Sequence, residues 1–240
     1  MPFSFSNISG FDMSTSNLHL LPPMAPDISL STQVQDVIME GIQTGILAPG
    51  QRLLVDEVAL NFGVSKIPVR EAFKALETGG WLESRPRRGT FVKTLSAKEL
   101  ESIFEMRRVL EPQSAALAAE RRTPDQLKAL EKIIKESSIA IKSGDSISIS
   151  RLNSQFHTIL AEAVDNEIMG AVVADLELRL RRYFIAVDWA QRNESIAQHK
   201  AIYKAIHDRD AARAKELTIA HLAHTEALAR ESMSFFEHPA

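Results

Sequence analysis

The stretch from Pro49 to Val92, PGQRLLVDEVALNFGVSKIPVREAFKALETGGWLESRPRRGTFV, constrains this chain more than any other. Val55–Asn61 reads as a helix that ends at Gly63, because a residue free to take positive φ lets the backbone reverse. Ser65 is placed to cap a second helix, with Pro68 tolerated in its first turn and Glu71 toward the positive end of the dipole. Val69, Ala72, Phe73 and Leu76 recur at helical spacing and predict the packing face. Lys66, Arg70 and Lys74 fall on another face, free to meet phosphates or base edges. Two helices joined by a tight glycine turn match the helix-turn-helix layout, whose second helix enters the DNA major groove.

Gly79 and Gly80 end that helix, and Trp81–Arg85 and Thr90–Thr94 read as two strands. Their connection, Pro86-Arg87-Arg88-Gly89, puts cations at the tip, so the hairpin is a wing able to reach backbone phosphate or the minor groove. Between Ser65 and Lys93 there are seven Lys/Arg against three Glu, net +4 inside a chain of net −3. The bland alternative is a solvated helix followed by an ordinary hairpin. Turn glycine, cap, periodicity and basic tip agree with one another and favour DNA binding.

The run PG-x-x-L, FGVSKIPVREAF-x-x-LE-x-x-GWL and RRGTFV closely resembles the GntR family of bacterial transcription regulators. The resemblance implies that Ser65, Lys66 and Arg70 touch DNA from the second helix, and that the wing tip, Arg87, Arg88 and Gly89, contacts the adjacent groove. Two positions depart from it. Lys66 stands where the family usually has Arg, and lysine lacks the bidentate fork for guanine. Asp56 stands where a DNA-contacting Arg is common, so that contact is expected to be missing.

With 240 residues, 45% hydrophobic and 25% charged, the chain has the composition of one or two globular domains. Its 6% aromatic content and few glycines favour helices over sheet. The absence of cysteine excludes disulfides and thiolate metal sites, and fits a reducing, cytoplasmic setting. No apolar run approaches the roughly 18 residues of a membrane span. Residues 1–30 contain no Lys or Arg, against a secretory signal with a basic start. They read as a flexible arm in which Phe3, Phe5 and Phe11 are candidates for docking. A helix over Leu30–Gly45 is expected to pack Gln33, Val37, Ile38 and Ile42 against Leu60, Val69 and Phe73. Residues 31–95 form the winged helix-turn-helix domain. Its eight Lys/Arg and seven Asp/Glu nearly cancel, so affinity must come from charge arrangement.

Residues 96–240 read as a separate all-helical domain for effector and metal binding and dimerisation. Breaks near Arg122-Thr123-Pro124, Ser143-Gly144-Asp145, Asp165-Asn166, Ala190–Asn193 and Asp208–Asp210 delimit six helices, over about 97–121, 124–142, 145–163, 167–188, 193–207 and 210–236. The whole is mainly α, and a six-helix bundle is large enough to enclose a cavity. On the first of these helices Leu100, Ile103, Phe104, Ser114 and Ala118 form a stripe, with Arg107 near its centre and Glu111 at i+4. A buried guanidinium needs a counter-charge, which either Glu111 or an anionic ligand supplies. Arg179 borders the stripe of the fourth helix, beside Arg181 and Arg182, which read as solvated.

The histidines cluster. Asn153 and His157 are i and i+4 on the third helix, His199 centres the stripe of the fifth, and His221 and His224 share a face on the last. The last two helices pivot about position 210, midway between 199 and 221, which brings His199 and His221 level. Three imidazoles and an amide oxygen then converge inside the bundle, a set suited to zinc or a similar divalent ion. His224 reads as a supporting partner, a substitute ligand or packing, and His207 as a helix-end dipole partner.

The pieces EMRRVLE, LNSQFHTIL, SIAQHKAIYKAIHDRD and AHLAHTEAL resemble the FCD domain of the FadR subfamily, an all-helical effector-binding module often carrying a metal held by Asp or Asn and three His. The resemblance implies that Asn153, His157, His199 and His221 are ligands of zinc, with nickel or manganese admissible. It also implies that Arg107 faces a carboxylate effector, with Arg179 a second candidate. Asn153 stands where Asp is frequent, and a neutral amide weakens metal binding. The expected molecule is a homodimeric regulator on palindromic operator DNA, a repressor released by a small carboxylate, with no catalytic residues and no membrane contact. Two rivals remain. One is a metal-dependent hydrolase in the C-terminal domain, against which no general base is evident beside the histidines. The other is a DNA-binding protein with a purely structural metal.

Overall fold

A computed structural model describes residue 20, residues 29–184 and residues 189–237. The arm expected over residues 1–30, with Phe3, Phe5 and Phe11, lies outside the described residues except at positions 20, 29 and 30. The chain divides into two compact units between Leu95 and Ser96.

In the first unit Ser29 caps α1 (Leu30–Thr44) by accepting from the Thr32 N–H, and Gly45 ends it at φ 80°. Then follow β1 (Arg52–Leu53), α2 (Val55–Phe62), α3 (Lys66–Thr78), β2 (Leu82–Arg85) and β3 (Gly89–Val92). The three strands form an antiparallel sheet in the order β1-β3-β2, with Arg52 opposite Phe91 and Leu53 opposite Thr90. Two residues are too few to show alternation, so β1 had no sequence signal. The core joins Val34, Ile38 and Ile42 of α1 to Val58, Val69, Phe73, Leu76 and Trp81. Leu60 does not belong to it: this side chain is 85% exposed. Val58 and Ala59 are the residues α2 buries, and at 100° per residue Leu60 points about 150° away from their midpoint.

The second unit is built of α4 (Ala97–Arg121), α5 (Pro124–Ser143), α6 (Ser146–Glu162), α7 (Glu167–Arg181), a 3-10 turn (Arg182–Phe184), α8 (Trp189–His207) and α9 (Ala211–Glu237). The boundaries have local causes. Ser96, Thr123, Asp145 and Asn166 each accept a hydrogen bond from a backbone N–H in the first turn they precede, and Thr123 with Gln126 completes a capping box. Gly144 closes α5 at φ 73°. One expected break is displaced: α7 stops at Arg181, and α8 already runs through 190–193. The chain tightens into the 3-10 turn because Arg182 and Tyr183 turn inward, Arg182 to the Glu99 carboxylate and the Tyr183 hydroxyl to the Ser96 carbonyl. Ala115, Leu130, Ile134, Leu152, Phe156, Leu160, Ile202 and Ile206 form the bundle core. Among the described residues no helix is long and apolar enough to cross a membrane.

Candidate DNA interface and metal centre

Helix α3 presents two faces. Val69, Ala72, Phe73 and Leu76 are buried, while Ser65, Lys66, Arg70 and Lys74 are exposed. Ser65 occupies the N-cap position, yet its hydroxyl makes no capping bond, and Glu71 lies beyond the first turn, which contains no acid. The expected cap and dipole partner are therefore both absent. Lys66 is held by Asp56 at 2.9 Å, so the acid at that position occupies a neighbouring cation.

The wing tip is shaped by Arg87 at φ 62° and Gly89 at φ 103°, closed by the Arg88 N–H on the Arg85 carbonyl at 2.9 Å. Arg87, Arg88 and Gly89 are exposed. Arg85 is engaged within the wing, 2.6 Å from Glu83 and over the Phe91 ring. Arg52 was missed by sequence reasoning. Its guanidinium lies where a side chain on Gly89 would begin, with Nε 3.2 Å from that position, and so adds a cation beside the tip. Only the pairing of β1 with β3 brings it there.

In the bundle, His157 of α6, His199 of α8 and His221 of α9 are buried, and their Nε2 atoms lie 3.2 Å from one another. The hairpin about Asp210 does set His199 and His221 level. The outer nitrogens fix the tautomers. His157 Nδ1 is 2.8 Å from Glu111 Oε2, and His221 Nδ1 is 2.8 Å from Gln198 Oε1. Both oxygens are acceptors, so both Nδ1 atoms carry the proton and both Nε2 atoms present lone pairs. His199 packs its ring on Phe156, with centroids 4.1 Å apart. Burial, then the neighbouring imidazole and guanidinium charges, holds His199 and His221 well below the ordinary histidine range, so these rings are neutral.

Two lone pairs 3.2 Å apart repel unless a proton or a cation lies between them. Three imidazole nitrogens at this spacing would hold a divalent ion such as zinc, which would supply positive charge inside the bundle. The three histidines therefore fit a divalent ion. Asn153 lies one turn from His157 and lines a cavity in the same bundle. His224 is 3.9 Å from Glu194, and His207 pairs with Asp208 at 2.8 Å on the surface, outside the triad.

Arg107 is 1% exposed and lies between two buried acids. Its Nε donates to Glu111, and its Nη2 reaches Glu111 at 3.2 Å and Glu177 at 2.8 Å. Among the described residues its Nη1 has no hydrogen-bond partner. Burial alone would raise the Glu111 carboxyl, but Arg107 and His157 outweigh it and hold it far below the usual carboxylate range. Glu177 moves upward, because burial outweighs Arg107. The sequence places no general base beside the histidines, yet Glu111, Glu177 and His157 bring ligand atoms within 4.8 Å of one another. Glu177 sits on α7 among Leu176 and Leu180, where nothing in the one-dimensional pattern points at α6.

A cavity of about 40 Å³, room for about three waters, lies in the same bundle and is lined by residues one helical turn from the histidines rather than by the histidines themselves. Asn153, Ser195 and Thr225 line it, each four residues from a histidine, together with Ser154, Glu177 and Arg181. Arg179 does not line it. This side chain bonds Asp175 at 2.7 Å on the outer side of α7. Arg181 and Arg182 are not the solvated pair expected: Arg181 borders the cavity and Arg182 is buried.

Comparison with known proteins places these features. Residues 30–92 match the model of the bacterial regulatory proteins of the gntR family, and residues 102–224 match the FCD domain. Among curated relatives, the HTH-type transcriptional regulator LutR of Bacillus subtilis is 30% identical over 208 residues, covering 77% of this chain and 94% of LutR. The HTH-type transcriptional repressor RspR of Escherichia coli is 28% identical over 187 residues, covering 77% and 82%. Among solved structures, E. coli McbR/YncC superposes with a TM-score of 0.76 at 24% identity, over 86% of this chain and 99% of that one, a likeness of fold.

Proposed function

Because this chain belongs to the GntR family of DNA-binding transcriptional regulators and carries an FCD domain, we propose that it is a metal-dependent repressor released by a small carboxylic acid. The observation that carries this reading is the convergence of three imidazole Nε2 atoms, two of them fixed as lone-pair donors. His157, His199 and His221 hold the ion, Asn153 is the fourth protein ligand, and three nitrogens with one amide oxygen suit zinc, with nickel or manganese as alternatives. When bound, the ion supplies positive charge for an anion. Arg107, with one guanidinium nitrogen unpartnered among the described residues, supplies a second donor. The two nearby carboxylates are engaged by Arg107, which favours sensing over turnover.

Ser65, Lys66, Arg70 and the wing residues Arg87, Arg88 and Gly89 hold DNA. A homodimer presents two such faces to a palindromic operator in the cytoplasm. The acid acts only by preferring a dimer arrangement that cannot hold both half-sites. The name of the relative RspR supports the negative sign.

Metal content and operator binding test this together. The purified chain is expected to carry one ion that is lost when His157 and His199 are both changed to Ala, while an acid releases DNA from the loaded form. Full metal content in the double variant overturns the ligand set, and an acid that tightens operator binding overturns the sign.

A further inference from the structure

Glu177 is 1% exposed and lines the cavity, and among the described residues its carboxylate meets the Ser154 hydroxyl and, as an ion pair, Arg107, too few donors for the lone pairs of two buried oxygens. The reason is its neighbour. Arg107 turns Nε and Nη2 to Glu111, leaving Glu177 an ion-pair contact at 2.8 Å and the Ser154 hydroxyl. Two buried acids share one guanidinium, so one acid keeps acceptors to spare. A buried acceptor without a donor is costly, and the space in front of Glu177 is cavity. The surrounding wall offers hydroxyls from Ser154, Ser195 and Thr225 and the amide of Asn153, so the space is polar and small.

We propose that Glu177 is a specificity-determining residue: the acid that fits this cavity carries a hydrogen-bond donor, hydroxyl or ammonium, on its short carbon chain, and Glu177 accepts from it. This rests on the acid-effector reading above and narrows its ligand class. A plain fatty acid of the same length leaves the spare acceptors of Glu177 unpaired, and sites built to hydrogen-bond a group reject analogues that lack it far more strongly than apolar pockets reject a missing methylene.

Propionate, L-lactate and L-alanine share a three-carbon acid skeleton and differ in the group on the second carbon. Calorimetric titration of the zinc-loaded full chain is expected to show lactate or alanine binding at least tenfold more tightly than propionate. Glu177→Met removes the acceptor and is expected to bring the three acids within about twofold of one another, since a carboxylate that merely propped Arg107 would weaken all three alike. Glu177→Gln keeps an oxygen acceptor without the charge, so it spares lactate and weakens alanine, which separates the hydroxyl from the ammonium source. It also serves if the Met variant does not fold. Propionate binding as tightly as both others overturns the role of Glu177 and leaves the acid-effector reading standing. Failure of all three acids to bind a chain that holds zinc overturns both.

Discussion

Stripping the metal and lowering the pH perturbs the histidine centre in a calculable way. His199 and His221 are held neutral in the fold, mainly by burial, while in the unfolded chain they take up protons near the ordinary value of about 6.5. Below that pH the unfolded state binds more protons, so metal-free stability falls as pH falls, by about 1.4 kcal/mol per pH unit for each imidazole. Glu177 works the other way. Its carboxyl is raised by burial, so taking up its proton favours the fold as pH falls and offsets part of this loss. Between pH 7.5 and 5.5 the two imidazoles should therefore cost the metal-free chain up to about 2.7 kcal/mol, a fall in Tm of up to about 5–10 °C. Zinc at a hundredfold excess over its Kd should restore about 2.7 kcal/mol at pH 7.5. Thermal unfolding followed by circular dichroism, with and without chelator, measures both. A metal-free protein equally stable at pH 7.5 and 5.5 would refute the neutral, converging imidazoles, as would zinc that adds nothing at pH 7.5.

Three further outcomes are expected. Arg70→Ala should weaken operator binding by about 1–3 kcal/mol and relax base preference, measured by fluorescence anisotropy on cognate and mutated sites; unchanged affinity removes Arg70 from the interface. Asp56→Asn frees Lys66 from its 2.9 Å partner and should raise DNA affinity, the exposed pair itself being worth at most about 1 kcal/mol; it should also steepen the salt dependence by about one unit if Lys66 then reaches a phosphate, and an identical slope and affinity count against that role. Arg107→Ala leaves two buried carboxylates without their cation and should cost about 3–5 kcal/mol in urea unfolding, whereas a loss under about 1 kcal/mol would mean the ion pairs are not formed in solution.

The DNA-binding unit was largely legible because its signals are local. Gly63 ends α2 at φ 65°, and the basic tip at Arg87–Gly89 is read directly from residue order. The errors there were also local in kind: Leu60 was assigned inward from hydrophobicity, although the phase of an eight-residue helix is set by which neighbours it meets. In the bundle, the spacing of His199 and His221 about Asp210 foretold that they would be level, because an antiparallel hairpin converts sequence symmetry into height.

Residue order by itself determined the winged reader, the helical bundle and the histidines that would face inward, since caps, turns and 3.6-residue periodicity act over a few residues. Tertiary structure alone decided that β1 carries Arg52 to the wing, that Arg182 is buried, and that Glu177 shares Arg107 with Glu111 beside the triad. Those contacts join side chains from helices tens of residues apart, and their energies depend on burial and on which charges a closed interior forces together. No periodicity within one helix records that.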